Sequence, residues 1–253
     1  MKVKHRRKLK LTVAYDGTNY HGFQRQDNAP SVQRTLEDKL APLFGHPIIV
    51  AGSARTDSGV HAYGQVLTFG ADGSIPVEKI VPASRGVLPD DIAVLSAEEV
   101  PEEFHARFSA TGKRYLYKIY NHESRNPMLR NYAWQIDRPI SVELINEAAA
   151  FLIGEHDFSA FRAAGGTAKS PVRTIHRFDC RRRDEMIELE CYGNGFLYHM
   201  VRNIVGTLVD VGLERISPEE FQKIFLGRDR SRAGITAPAQ GLYLMQVYYA
   251  FSP

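Results

Sequence analysis

The chain has 253 residues, 43% apolar and 24% charged, a composition of a water-soluble globular protein long enough to bury a core without staples. The formal net charge is only +3, and no apolar run approaches the roughly 18 residues a membrane-spanning helix needs, which argues against a disordered polyelectrolyte and against a helical membrane protein. Cys180 and Cys191 are spaced neither as a metal knuckle nor as a redox pair, so they read as reduced, packed thiols of a cytosolic protein. None of the nine histidines forms a two-His spacing with a neighbouring carboxylate, and no metal site is expected.

The basic leader, residues 1–8, lacks an apolar stretch after it and does not read as a secretory signal. Residues 9–15 alternate polar and apolar as a half-buried strand that stops at the turn signal Asp16-Gly17. Tyr20, Phe23 and Gln24 follow in a polar-aromatic loop. Ser31 then caps a helix with Val32, Leu36, Leu40 and Leu43 on one face, and Pro42 predicts a kink or an early end. Residues 47–50 form a short β-branched run that reads as a buried strand, and residues 65–69 alternate as a second one.

Between those two runs lies the stretch Arg55-Thr56-Asp57-Ser58-Gly59-Val60-His61-Ala62. Flanked by Gly52 and Gly59, it presents an Arg, a Thr and an Asp from a loop held at both ends, a common way for a rigid scaffold to offer reactive groups. By spacing alone two readings stay open: a reactive carboxylate, or a turn in which Asp57 caps backbone amides with Arg55 as its solvated partner.

Downstream, Pro76 opens a short helix with Val77, Ile80 and Val81 inward, and residues 92–95 form a strand after the turn at Pro89. Lys113 to Tyr120 alternates, placing Tyr115, Tyr117 and Ile119 on one face, either as an aromatic core ladder or as a platform for a ligand. Ser141 caps a helix that ends before Gly154. Residues 174–180 and 186–191 pair as a hairpin across Asp184-Glu185. Residues 196–211 form a largely apolar, buried helix that nonetheless carries His199, Arg202 and Asn203; a buried arginine is costly unless paired. Ser217-Pro218-Glu219-Glu220 starts a last helix, and the chain closes on a strand from residue 242 to 251. The mixture of strands and helices, without regular alternation, argues for an α+β fold. The clustered charges Lys113-Arg114 and Arg181-Arg182-Arg183 suit phosphate contacts, the latter equally a solvated hairpin tip.

Three segments carry a resemblance. Tyr-Asp-Gly-x-x-Tyr-x-Gly-Phe-Gln at residues 15–24, Arg-Thr-Asp-x-Gly-Val-His-Ala at residues 55–62 and His-Met-Val-Arg-Asn-Ile-Val-Gly at residues 199–206 are similar to motifs of the tRNA pseudouridine synthase A family. The resemblance spans nearly the whole chain. It departs at Ala54, where the family usually has Gly, and near Arg85, where it commonly carries Asn. It implies two similar α/β-sandwich-like halves with a largely antiparallel mixed sheet and a central cleft, here residues 1–105 and 106–253. It implies isomerisation of uridines 38 to 40 in the tRNA anticodon stem-loop by a cytoplasmic homodimer, with no cofactor. Asp57 would be the nucleophile or base, Arg202 its ion-pair partner, Tyr115 the residue stacked on uracil and Arg55 an aid to base flipping. Lys113, Arg114, His61 and Gln65 complete the expected RNA-contacting set.

Two other classes compete. A glycosidase normally needs two carboxylates at a set separation, and the loop offers one. A non-catalytic RNA-binding module of two α+β halves would lack any use for the Asp and Arg, and the usual aromatic RNA-binding signature is absent.

Overall fold

The computed structural model describes residues 7–72 and 75–250. The leader residues 1–6 and the last residue of the expected closing strand therefore lie outside the described residues. The fold is α+β with largely antiparallel pairing, and it divides into two compact units. Within the described residues one runs up to Thr111 and takes in the chain again from Leu244, while the other is Gly112–Tyr243. The division expected at residue 105/106 differs in leaving the closing strand wholly with the second half.

In the first unit, β1 (Arg7–Tyr15), β2 (Ala51–Gly52), β3 (His61–Ala71) and β4 (Ile92–Val100) are joined by the end of β10 (Leu242–Tyr249), in the order β4-β1-β3-β10 with β2 on the side of β3. β1 alternates as its sequence dictates, burying Leu9, Leu11, Val13 and Tyr15. β3 is buried at nearly every position because it has a strand on either side and side chains packed on both faces. Helix α1 (Val32–Phe44) starts at Ser31, whose hydroxyl accepts from the Arg34 amide, and stops at Gly45 in the left-handed conformation. Pro42 neither ends nor interrupts it: the residue sits on the exposed face of the last turn, where the missing donor costs little. Helix α2 (Val77–Ser84) packs on β4 and buries Ile80.

The strand expected at residues 47–50 does not form. Ile48 and Val50 turn inward, but Ile49 is 78% exposed, and the pairing with β3 begins only after this run, at β2. The backbone groups of Val50 go to side chains of α1 instead of to a ladder. Its amide donates to Glu37 Oε1 at 3.0 Å, and its carbonyl accepts from Gln33 Nε2 at 3.1 Å. Glu37 is buried, and Arg25 donates to its other oxygen at 2.7 Å, so the carboxylate is not left unpaired.

In the second unit, β5 (Ala110–Asn121), β9 (Met186–Gly193), β8 (Val172–Arg183) and β7 (Gly154–Asp157) are successive neighbours, and β6 (Trp134–Ile136) joins β5 as a parallel partner. The β8–β9 hairpin turns through Asp184, which takes a positive φ of 52°. Helix α3 (Val142–Ala150) packs on β8, on α4 (Met200–Gly212) and on α5 (Pro218–Gly227). The end of β7 is followed by a 3-10 turn, Ser159–Phe161, which stacks Phe161 on Phe221 and Phe225. Helix α4 begins four residues later than its apolar pattern suggests, because His199 adopts φ 58° and breaks the run at its start. Among the described residues no helix is long and apolar enough to cross a membrane, and no group of three His, Cys, Asp or Glu could hold a metal ion.

Both cysteines are free and buried, on neighbouring strands β8 and β9. Burial pushes the Cys180 thiol up to about 12 and that of Cys191 higher still. A folded-state pKa above the unfolded value leaves stability intact below the unfolded pKa and removes it as pH rises past that point. Urea midpoints should therefore hold up to pH about 8.5 and then fall, by about 1.4 kcal/mol per pH unit for each thiol. The double variant Cys180→Ala, Cys191→Ala should lose less stability between pH 8.5 and 10, and in the native protein neither thiol should react with an alkylating agent before unfolding.

Candidate active site

The loop at residues 53–60 is fixed from below by a buried amide. Gln65, 0% exposed at the start of β3, points back under the loop. Its Oε1 accepts from Ser53 Oγ at 2.6 Å and from the Ala54 amide at 3.2 Å, while its Nε2 donates to the Ala54 carbonyl at 2.8 Å. The Ser53 amide donates to the Val66 carbonyl at 2.8 Å, which ties the loop's entry to β3. Ala54 is not among the four described non-glycine residues with positive φ, so the position where the family usually has Gly does not call on glycine's freedom here.

The top of the loop is fixed by the first motif. The Phe23 amide donates to the Thr56 carbonyl at 3.0 Å, and the Gly59 amide to the Tyr20 carbonyl at 3.3 Å. The hydroxyls of Tyr15 and Thr56 are 2.7 Å apart, and burial raises the Tyr15 pKa, so the phenol stays protonated. Gly22 has φ 91° and lies so close that a Cβ would stand 2.7 Å from the Thr56 carbonyl oxygen; a Cβ on Gly17 would collide with the carbonyl of Val60. These two glycines are why the opening motif carries them: backbone must touch backbone. Gly59, φ 78°, makes the turn itself, with the Val60 amide donating to the Asp57 carbonyl at 3.1 Å. The result is a rigid arch on which Asp57 is half-buried and Arg55 exposed.

His61 and Gln65, expected to touch RNA, are both buried. His61 is 2% exposed, with Nδ1 3.1 Å from both the Gly17 amide and Asp16 Oδ1, and Gln65 spends its amide on the loop. Both support the arch from within. Tyr20 was legible only as part of a loop, yet its hydroxyl donates to Asp91 at 2.7 Å and ties the opening motif to the entry of β4.

In the second unit, Lys113, Arg114 and Tyr115 lie on β5 opposite Gly193, Tyr192 and Cys191 of β9. Arg114 is half-buried and donates to Glu190 at 2.8 Å, so its charge is already engaged by a carboxylate on the neighbouring strand, unlike the solvated phosphate contact its sequence suggests. Tyr115 is buried edge-on against Phe196, ring centroids 5.1 Å apart at 84°. Tyr117 is fully buried core, as its position on the inward face predicts, and its hydroxyl donates to the Pro238 carbonyl at 2.7 Å. Arg202, in the first turn of α4, is half-buried, and its Nε donates to the Ala237 carbonyl at 2.7 Å.

The described geometry brings Arg55, Asp57, His61 and Gln65 together on one arch and strand end, and Lys113, Arg114 and Tyr115 along one strand. The half-buried carboxylate of Asp57 is thus raised on an immobilised, glycine-flanked loop of an α+β frame. The family profile of tRNA pseudouridine synthases matches residues 11–109 and 148–250, and the chain belongs to that family. A protein of Ruminiclostridium cellulolyticum named tRNA pseudouridine synthase A is 50% identical over 244 residues, 96% of this chain and 100% of its own length. Proteins with the same name from a Thermoanaerobacter species and from Bacillus pumilus are 47% and 44% identical, each over 96% of this chain.

Replacing Gln65 by Leu keeps the volume but takes from Ser53 Oγ its acceptor on Gln65 and from both backbone groups of Ala54 the partners that Gln65 gives them, each lost partner of a buried polar group costing about 1–3 kcal/mol. Urea unfolding of Gln65→Leu should show a loss of at least about 2 kcal/mol. Turnover of the folded fraction should drop while tRNA affinity stays within about twofold, since the side chain touches the arch and not the ligand.

Proposed function

We propose that this chain isomerises uridine to pseudouridine at positions 38 to 40 of the tRNA anticodon stem-loop, with Asp57 as the acting carboxylate. The observation that carries the reading is the immobilised arch: every backbone tie described above serves to hold one half-buried acid in place. The near-complete coverage of the relatives, all named tRNA pseudouridine synthase A, supplies the substrate class.

The reaction breaks the bond between C1′ of the ribose and N1 of uracil, turns the base and joins C1′ to C5, which loses its proton while the freed N1 gains one. Atoms and redox state are unchanged, so one carboxylate and well-placed hydrogen-bonding groups suffice. Asp57 acts as nucleophile or as base towards the sugar. Arg202 supplies the guanidinium that accompanies that carboxylate, and Tyr115 offers its ring to the uracil. The target base must leave its stack first, at a cost of a few kcal/mol. Arg55, exposed at the crown of the arch, takes up the vacated position. Lys113 contacts the phosphate backbone, and recognition is of RNA shape more than of sequence. The enzyme works as a cytoplasmic homodimer, a compartment consistent with two packed, un-ionised thiols.

The test is release of tritium from tRNA labelled at uracil C5. Wild-type protein should release it, Asp57→Asn should not, and both should bind the tRNA with similar affinity. Equal release by the two proteins would falsify the assignment of Asp57, and binding without release by wild type would favour a module that only holds RNA.

A further inference from the structure

Arg202 is held by a segment that no sequence motif marks. After α5 the chain makes a 3-10 turn, Arg230–Arg232, and then runs as an extended strap, residues 233–238, across the first half of α4. The strap lies so close that a Cβ on Gly206 would collide with the Ile235 carbonyl. Its backbone is tied at two points: the Gly234 amide donates to Thr207 Oγ1 at 3.0 Å, and the Ala237 amide to the Arg202 carbonyl at 3.1 Å.

Side chains lock it further. Arg230 folds back, donating to the Gly234 carbonyl at 2.9 Å, to Thr236 Oγ1 at 3.2 Å and to Asn203 Oδ1 at 3.1 Å. Asn203 is 0% exposed. Besides Arg230, its Oδ1 accepts from Thr236 Oγ1 at 2.6 Å, and its Nδ2 donates to the Phe161 carbonyl at 2.8 Å. Three consecutive strap residues thus face three anchored groups. Thr236 is bound to Asn203, Ala237 accepts from Arg202 Nε at 2.7 Å, and Pro238 accepts from Tyr117 at 2.7 Å. The oxygen that receives the arginine is bracketed on both sides by bonds to fully buried side chains. A guanidinium is planar, so fixing Nε on a carbonyl that cannot move sets the direction of the whole fork.

We propose that the strap at residues 233–238 is the device that aims Arg202, and that Asn203, Thr236, Arg230 and Tyr117 are positioning residues for the reaction. This rests on the role given to Arg202 above. A displacement of about 1 Å at a reacting group can cost up to a hundredfold in rate, so a loosened strap should be read in turnover and not in binding.

The test uses Thr236→Val, which replaces a hydroxyl by a methyl, and Tyr117→Phe, which removes a hydroxyl, singly and together, in the full-length protein. The first readout is the Nε–H resonance of Arg202 in nitrogen-labelled protein, assigned by its loss in Arg202→Lys. It should move or broaden in both variants and exchange with solvent faster, most in the double variant. The second is kinetic: kcat lowered about tenfold or more in the double variant, with tRNA affinity within about twofold. An unchanged Nε signal would overturn the strap as the holder of Arg202. A changed signal with unchanged kcat, while Arg202→Lys is inactive, would show that the aim does not matter and would likewise overturn the proposal. Full activity of Arg202→Lys would instead sink the role of Arg202, and the resonance would still report on the strap.

Discussion

A loop can hold a reactive side chain still only if its own backbone has somewhere to bond, and here the buried amide of Gln65 supplies that. A loop has no ladder, so its polar groups must find side chains or water. Gln65 meets the Ser53 hydroxyl and both backbone groups of Ala54 with one planar group that presents acceptor and donor side by side. Because the amide is buried, each bond is made in a poorly screened setting, where its loss is costly. The glycines of the first motif act from the other side by letting backbone approach backbone. Neither device touches a substrate, yet the height and tilt of residues 55–57 follow from both.

The same solution recurs wherever the chain leaves regular structure. Glu37 and Gln33 take the amide and carbonyl of Val50, and Asn146 takes the amide and carbonyl of Cys180 at the edge of β8. Asn203 ties the Phe161 carbonyl to the strap. Each is a side chain offering both donor and acceptor, or a carboxylate with two oxygens, set where an irregular segment or an open strand edge would otherwise leave backbone polar groups unmet. Such residues read as surface polar positions in a sequence and turn out to be internal struts.

That explains which parts were legible in advance. Elements specified by neighbours in sequence were: Ser31, Ser141 and Ser217 each cap the helix they precede, and the hairpin turns where Asp184 tolerates a left-handed backbone. The arch was legible as a loop held at both ends because its glycines lie together in the chain, while spacing alone left Asp57 open between a reactive carboxylate and a turn cap, and the resemblance chose between them. Residues 47–50 misled because β-branched residues specify an extended backbone but not its partner, and the partner is a helix. Gln65 and His61 entered the expected RNA-contacting set through the resemblance, and their burial could not be seen from the sequence because β3 is covered on both faces. The paired state of Arg114 depends on a carboxylate 76 residues away. The strap had no periodicity at all, and its meaning lies in what it crosses.

The chemistry makes this distribution of rigidity reasonable. An isomerisation with no outside reagent gains its rate from groups already standing where charge develops, since dipoles that must reorient during the reaction lose most of their effect. For such a site the stiffness of the supports is part of the catalyst. Asp57 stands on an arch whose ties are all short-range in space and internal to its unit. Arg202 is fixed at Nε to a carbonyl that is itself fixed on either side. A long, flexible side chain such as arginine loses substantial rotamer entropy when it is held, about 1.5–2 kcal/mol. Ordering it during folding, through Tyr117 and Asn203, means that this cost does not recur in each turnover.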